Sequence, residues 1–238
     1  MYDRPDVPKL SRNRNAIAAA VIVAVFVVLA ILVSNLWRLA NEHSKLGSSK
    51  LSDAIAAATV APEVVAQVAE ASGTTPSEDT IETVAFLVTA DDDEKTLKCL
   101  NVAAINDTQE TAVLVSVPVE SRVGTATATL ASAYASSGAK GVALQLAGGA
   151  VPVSHIVVMT ETGWGAFMET AEKGSSALRR SASKLLDGIT LSDLDASGLL
   201  DVGQRAAKAG VSADSIVSLE PAEVIDPAQL ALAIGTVK

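Results

Sequence analysis

The longest apolar stretch of the chain is residues 16–33, "AIAAAVIVAVFVVLAILV", which contains no polar residue. Read as helix, it rises ~27 Å, and continuation to Trp37 is enough for a hydrocarbon core of ~30 Å. Basic residues crowd its N-terminal side, which orients that side toward the cytoplasm. Trp37 then suits the far interface as an aromatic anchor. A cleaved signal peptide and a buried core helix are the alternatives. The run exceeds a signal peptide's apolar region, and Arg38 spoils the small-residue cleavage site near Ala40. A core helix does not explain an all-apolar segment beside a basic tail. The pattern predicts a cytoplasmic tail (1–15), a transmembrane signal anchor (16–37) and a main body outside the membrane.

After the anchor the pattern turns polar. Residues 38–50, "RLANEHSKLGSSK", predict a short stalk, and the Ala-rich residues 51–71 predict one or two helices. These either pack on the domain or act as a spacer. "SGTTPSEDT" (72–80) has linker composition, so 38–80 reads as stalk and helical linker, with the domain at 81–238.

Within that domain the apolar runs become short and β-branched: "TVAFLVTA" (83–90), "LNVAAI" (100–105), "TAVLVSV" (111–117) and "SHIVVMT" (154–160). Each predicts a strand. "NDTQ" (106–109) predicts a hairpin turn. "TATATLASAYASS", "AKGVALQLAGG" and "GWGAFMETAEKG" predict helices that stop near Gly138, Gly148 and Gly174. The order β-β-β-α-α-β-α, followed mainly by helices, predicts an α/β domain: a mixed central sheet with helices on both faces, preceded by one transmembrane helix.

Composition narrows the chemistry. Hydrophobic residues are 49% of the 238 and charged residues 19%, which supports a packed core. The net charge is −9, but the tail is +2 (Arg4, Lys9, Arg12 and Arg14 against Asp3 and Asp6), leaving −11 on the rest. Such an acidic body excludes nonspecific nucleic-acid binding, which needs phosphate neutralisation. One cysteine, Cys99, excludes an internal disulfide, and two histidines leave no zinc set. There is no Gly-x-Ser-x-Gly elbow and no Walker loop. His155, without a named partner, reads as a packed or surface residue.

Four stretches, "VAFLVTADD", "VLVSVPVESRV", "TLASAYASSGAKGV" and "LQLAGGAVPVSHIVVMTETGWGAFMETAEKG", together resemble the LytR-CpsA-Psr domain of bacterial cell-envelope proteins. The likeness covers residues 81–174 in order, and "LRRSASKLLDGITLSDL" resembles the family's closing helices. The resemblance implies a Mg-dependent transferase that moves an anionic glycopolymer from a polyprenyl pyrophosphate carrier to peptidoglycan or a similar acceptor. Arginines would grip the pyrophosphate and aspartates would hold the metal.

The charged positions depart from that pattern. The family's Pro-Arg-Asp stands here as Pro118-Val119-Glu120, so a valine replaces the phosphate-gripping arginine while Glu120 keeps the acid. Arg122, three positions on, either reaches back or is an exposed loop arginine. Asp91 or Asp92 matches the family's first metal aspartate, with a solvated acidic turn as the alternative for "DDDE". The second metal aspartate aligns with Lys98, which would repel Mg yet could contact a phosphate. Arg179 and Arg180 are the remaining candidates for phosphate, or else the exposed start of a helix. Tyr134 and Trp164 read as packing residues at the place where the family's lipid pocket has its walls.

The apolar run and the resemblance imply an extracytoplasmic, single-pass membrane protein of cell-envelope assembly, and loss of several charges together implies impaired catalysis. It would retain binding of a polyprenyl lipid, a cell-wall polymer or an envelope protein partner. A divergent active transferase using Asp91, Glu120, Arg122 and Arg179 or Arg180 is the second reading. A scaffold that makes protein contacts through residues 51–71 is the third.

Overall fold

The computed structural model describes residues 46–173, 175–209 and 216–238. The expected tail (1–15) and anchor (16–37) lie outside the described residues. Among the described residues no single helix is long and apolar enough to cross a membrane.

The elements run α1 (Ser49–Ala57), α2 (Pro62–Ser72), β1 (Ile81–Thr89), β2 (Leu97–Asn106), β3 (Thr111–Val117), β4 (Arg122–Val123), α3 (Leu130–Ser137) and α4 (Ala139–Gly148). They continue as β5 (His155–Thr160), α5 (Glu161–Glu172), α6 (Ser175–Asp187), β6 (Ile189–Ser192), α7 (Ala196–Lys208), β7 (Ile216–Ser218), β8 (Val224–Ile225) and α8 (Pro227–Ile234). The four expected strands and the expected turn are all present. The short β4, β6, β7 and β8 are additional.

Six strands form a mixed sheet in the order β6-β5-β1-β2-β3-β7, and β4 pairs with β8 apart from it. β1 sits centrally, antiparallel to β2 and parallel to β5. Helices cover both faces, so the central strands are apolar on both sides, and residues 84–89 of β1 are buried without a break.

Alternation along the strands sends two sets of side chains to two cores. Ala85, Leu87, Leu100, Val102, Val115, Ile156 and Val158 meet α3, α4 and α8 on one face. Val84, Phe86, Val88, Ala103, Leu114, Val157 and Met159 meet α5 and α7 on the other.

Residues 46–80 join this domain, so of the two alternatives for the Ala-rich segment packing holds. Leu51 and Ala58 enter the first core. The Gly47 and Ser48 amides donate to the Leu194 and Ser192 carbonyls at 3.1 and 2.8 Å, and Thr75 and Lys238 exchange backbone hydrogen bonds. Pro62 opens α2, where its missing N–H is harmless, and Gly73 ends it at φ 68°.

Candidate functional site

The second core is hollow. Between the sheet and α5, α6 and α7 lies a cavity of about 70 Å³, walled by Phe86, Met159, Trp164, Phe167, Leu199 and Val202 among others. Among the described residues its lining holds no charged side chain. Local sequence explains each wall. On α5, Trp164, Phe167 and Met168 recur at i, i+3 and i+4, so one helix face is apolar. On α7, Leu199, Val202 and Ala206 recur at i, i+3 and i+7 and likewise share one face. Alternation brings Val84 and Phe86 of β1 and Val157 and Met159 of β5 up from beneath. Phe86, Trp164 and Phe167 cluster with ring centroids 5.3, 5.6 and 5.8 Å apart, which fixes one end of the cavity.

Two glycines set how closely the walls approach. A Cβ on Gly163, in the first turn of α5, would lie 2.8 Å from the Gly188 backbone, and one on Gly188 would lie 2.5 Å from Gly163 Cα. Gly188 also accepts a hydrogen bond from the Thr160 amide at 3.1 Å. The start of α5 is thereby held against the turn joining α6 to β6.

The charged candidates stand apart from this apolar space. Asp91 accepts from the Thr162 amide at 3.0 Å and the Thr162 hydroxyl at 2.6 Å, so it caps α5. Those two bonds from Thr162, hydroxyl first, hold its carboxyl below the ordinary aspartate range. Asp92 is exposed, and Asp93 is engaged by the Lys95 amide and the Thr96 hydroxyl of its own turn. Among the described residues no group of three or more His, Cys, Asp or Glu is placed to hold a metal. Mg takes near-octahedral oxygen coordination, and this donor set does not fit it.

Lys98 is exposed on β2, and Glu120 is exposed in the turn after β3. Ser121, between Glu120 and Arg122, is buried and donates its hydroxyl to the Ala222 carbonyl. Arg122 on β4 pairs with Glu223 at 3.1 Å. Its neighbour Val123 belongs to the filled core, as does Ile225 of β8. Arg180 is exposed on α6, a wall of the cavity, and the Arg179 side chain lies outside the described residues. Among the described side chains, no hydrogen bond or ion pair joins two of these candidates.

Three further residues gain definite surroundings. Trp164 does line the cavity. Tyr134 instead sits in the filled core, its hydroxyl donating to the Glu94 carbonyl at 3.2 Å, and burial pushes the phenol up to about 12. Tyr134 is thus a packing residue, as expected, and it does not line this cavity, because α3 lies across the sheet from α5. His155 is not partnerless: its Nδ1 lies 2.7 Å from Asp193 Oδ2, and its Nε2 lies 3.6 Å from Glu82 Oε1. The hydrogen bond with Asp193 raises its pKa above the usual histidine value, against the opposing effect of burial.

Sequence reading missed most of the cavity. The i, i+3, i+4 spacing of Trp164, Phe167 and Met168 was the available signal, and it marks a buried helix face whether or not that face is filled.

No family model matches the sequence, and neither does any curated protein. Several solved structures are similar in fold. Bacillus subtilis TagV is 12% identical with a TM-score of 0.49, covering 67% of this chain and 96% of that one. TagT bound to LI-WTA is 13% identical at 0.44, covering 66% and 92%. A transcriptional regulator from Enterococcus faecalis is 15% identical at 0.44, covering 66% and 85%. TagV and TagT are LytR-CpsA-Psr proteins.

Proposed function

We propose that this chain is a membrane-anchored, LytR-CpsA-Psr-like protein of cell-envelope glycopolymer assembly that takes an apolar chain of polyprenyl type into its cavity and does not transfer the polymer. The observation that carries the reading is the pairing of an apolar cavity with charged candidates that are exposed or already engaged. A lipid tail needs only apolar walls and shape, and burying it gains about 25 cal/mol per Å² removed from water. Transfer from a pyrophosphate needs cations around the leaving group, which are worth several kcal/mol each where water is excluded. Val119 supplies none, Arg122 faces Glu223, and Asp91 caps α5.

The test is titration of the full-length protein in lipid nanodiscs with farnesol, farnesyl phosphate and farnesyl pyrophosphate, each with and without Mg. Ligand at a hundredfold excess over its Kd stabilises the fold by about 2.7 kcal/mol through mass action. The reading expects the three ligands to raise the unfolding temperature alike, with no effect of Mg. A rise confined to the pyrophosphate with Mg supports a transferase instead. No rise with any ligand removes lipid binding and leaves a scaffold.

A further inference from the structure

The three helical walls of the cavity are held in different ways. α5 is held by close backbone approach, through Gly163 against Gly188, and by the Asp91 cap. α6 runs directly into that same glycine turn. α7 spans the hollow with Leu199, Val202 and Ala206, which have incomplete partners beneath them and so gain less from dispersion than residues over a filled core. Its N-terminus is capped by Asp195, which accepts from the Gly198 amide at 2.7 Å and the Ser197 hydroxyl at 2.9 Å. The Arg205 guanidinium ties its C-terminal end to the sheet. Arg205 gives both nitrogens of its fork to acids: Nη2 to the two Glu82 oxygens at 2.8 Å each, and Nη1 to Asp107 at 3.2 and 3.4 Å. Its Nε reaches Asp201, one turn back on α7, at 3.1 Å. The ion pair of Lys208 with Glu110 at 3.5 Å, also at this end, is exposed on both sides and worth little.

We infer that α7 is the movable wall of the cavity and that Arg205, bridging Glu82 of β1 and Asp107 beyond β2, is the latch that keeps it shut. With Arg205 in place, Asp201 on the helix and Glu82 and Asp107 on the sheet side are all bonded to one cation, and α7 is drawn onto the sheet. His155, 3.6 Å from Glu82, lies on the sheet side and stays with it. With Arg205 gone, the helix loses the cation that stands between Asp201 and those two acids, and the attraction that draws this end inward is lost. Leu199, Val202 and Ala206 move with α7, so releasing the latch widens the space above Phe86 and Met159. The role of that motion, admission of an apolar chain, rests on the reading proposed above.

Hydrogen exchange on the full-length protein in nanodiscs, read by mass spectrometry, tests the latch without any ligand. Arg205→Gln is expected to speed exchange in α7 about tenfold, with α5, α6 and β1 unchanged. Asp107→Asn, at an exposed acid, is the milder variant if Arg205→Gln does not fold, and it is expected to act in the same direction. Unchanged exchange in α7, or an equal rise in every element, overturns the inference. A second arm follows entry of farnesol in a Trp37→Phe background, in which Trp164 is the sole tryptophan. Arg205→Gln is expected to accelerate the fluorescence change several-fold while shifting Kd less. If α7 loosens but farnesol never enters, the latch stands and lipid binding falls; if farnesol binds at an unaltered rate, the latch falls and lipid binding stands.

Discussion

The two faces of the sheet are built from the same kinds of residue and end differently. Under α3, α4 and α8, Leu87, Leu100, Leu130, Leu146 and Leu230 are fully buried and interlock. Under α5, α6 and α7, aromatic and sulfur-bearing residues surround a space none of them fills. Native cores pack at crystal-like density, so a void between rigid elements forgoes stabilisation that the opposite face retains. One face holds the fold together, and the other leaves room beside it.

Large-to-small substitutions break the comparison first. Leu146→Ala on the filled face should cost about 2–5 kcal/mol, because it opens a new cavity among well-packed neighbours. Leu199→Ala on the hollow face should cost clearly less, since the space around it is already incompletely filled. Urea denaturation of both variants checks this, and equal losses would mean that the hollow face is as tightly packed as the other. Next in size is Gly163→Ala, whose added methyl meets backbone rather than a flexible side chain. Overpacking of that kind costs about 1–3 kcal/mol, and the loss should be accompanied by faster exchange in α5.

Filling the space sharpens the comparison in the opposite direction. Ala103 is buried on β2 and lines the cavity. Ala103→Val adds a β-branched side chain to a strand, and cavity filling of this kind should stabilise the protein by about 0.5–2 kcal/mol. The same variant should bind farnesol several-fold more weakly. A gain in stability with unchanged binding would show that the ligand sits elsewhere.

The smallest effects are those of pH. The pKa of His155 is raised in the folded protein, chiefly by Asp193. Its stabilisation is therefore complete below the ordinary histidine value and is lost as the pH rises through the raised one. Melting curves of the parent and His155→Gln should differ most in acid and converge in alkali. Asp91 has the opposite sign: its lowered pKa gives a contribution present above the ordinary aspartate value and lost as the pH falls. Asp91→Asn should therefore soften α5 at neutral pH and make little difference in strong acid.

The sheet's main strands were legible because β1, β2, β3 and β5 carry their own apolar, β-branched runs. β4 and β8 have two residues each and β7 has three. Such segments pair because a partner lies beside them, and their own composition carries no signal. The site was harder to read. Nothing local reveals that Thr162, 71 positions along the chain, occupies both oxygens of Asp91. Nor does any period distinguish a filled helix face from a hollow one, since Leu, Met and Val serve both. Small residues line the void from both layers, Ala103 on the sheet and Gly203 and Ala206 on α7, which is a fact of volume and not of pattern.

The parallel pairing of β1 with β5 has a consequence for how the chain folds. β1, β2 and β3 are joined by short connections, residues 90–96 and 107–110, so that meander can form early from local contacts. Val84 cannot meet His155, nor Thr89 meet Thr160, until the chain between β3 and β5 has been gathered in. Loop closure of that length comes late and slowly. Until then the centre of the sheet is an open strand edge carrying Val84, Phe86 and Val88, and such an edge invites pairing with another chain. The step that completes the sheet is thus also the step that removes its chief route to aggregation.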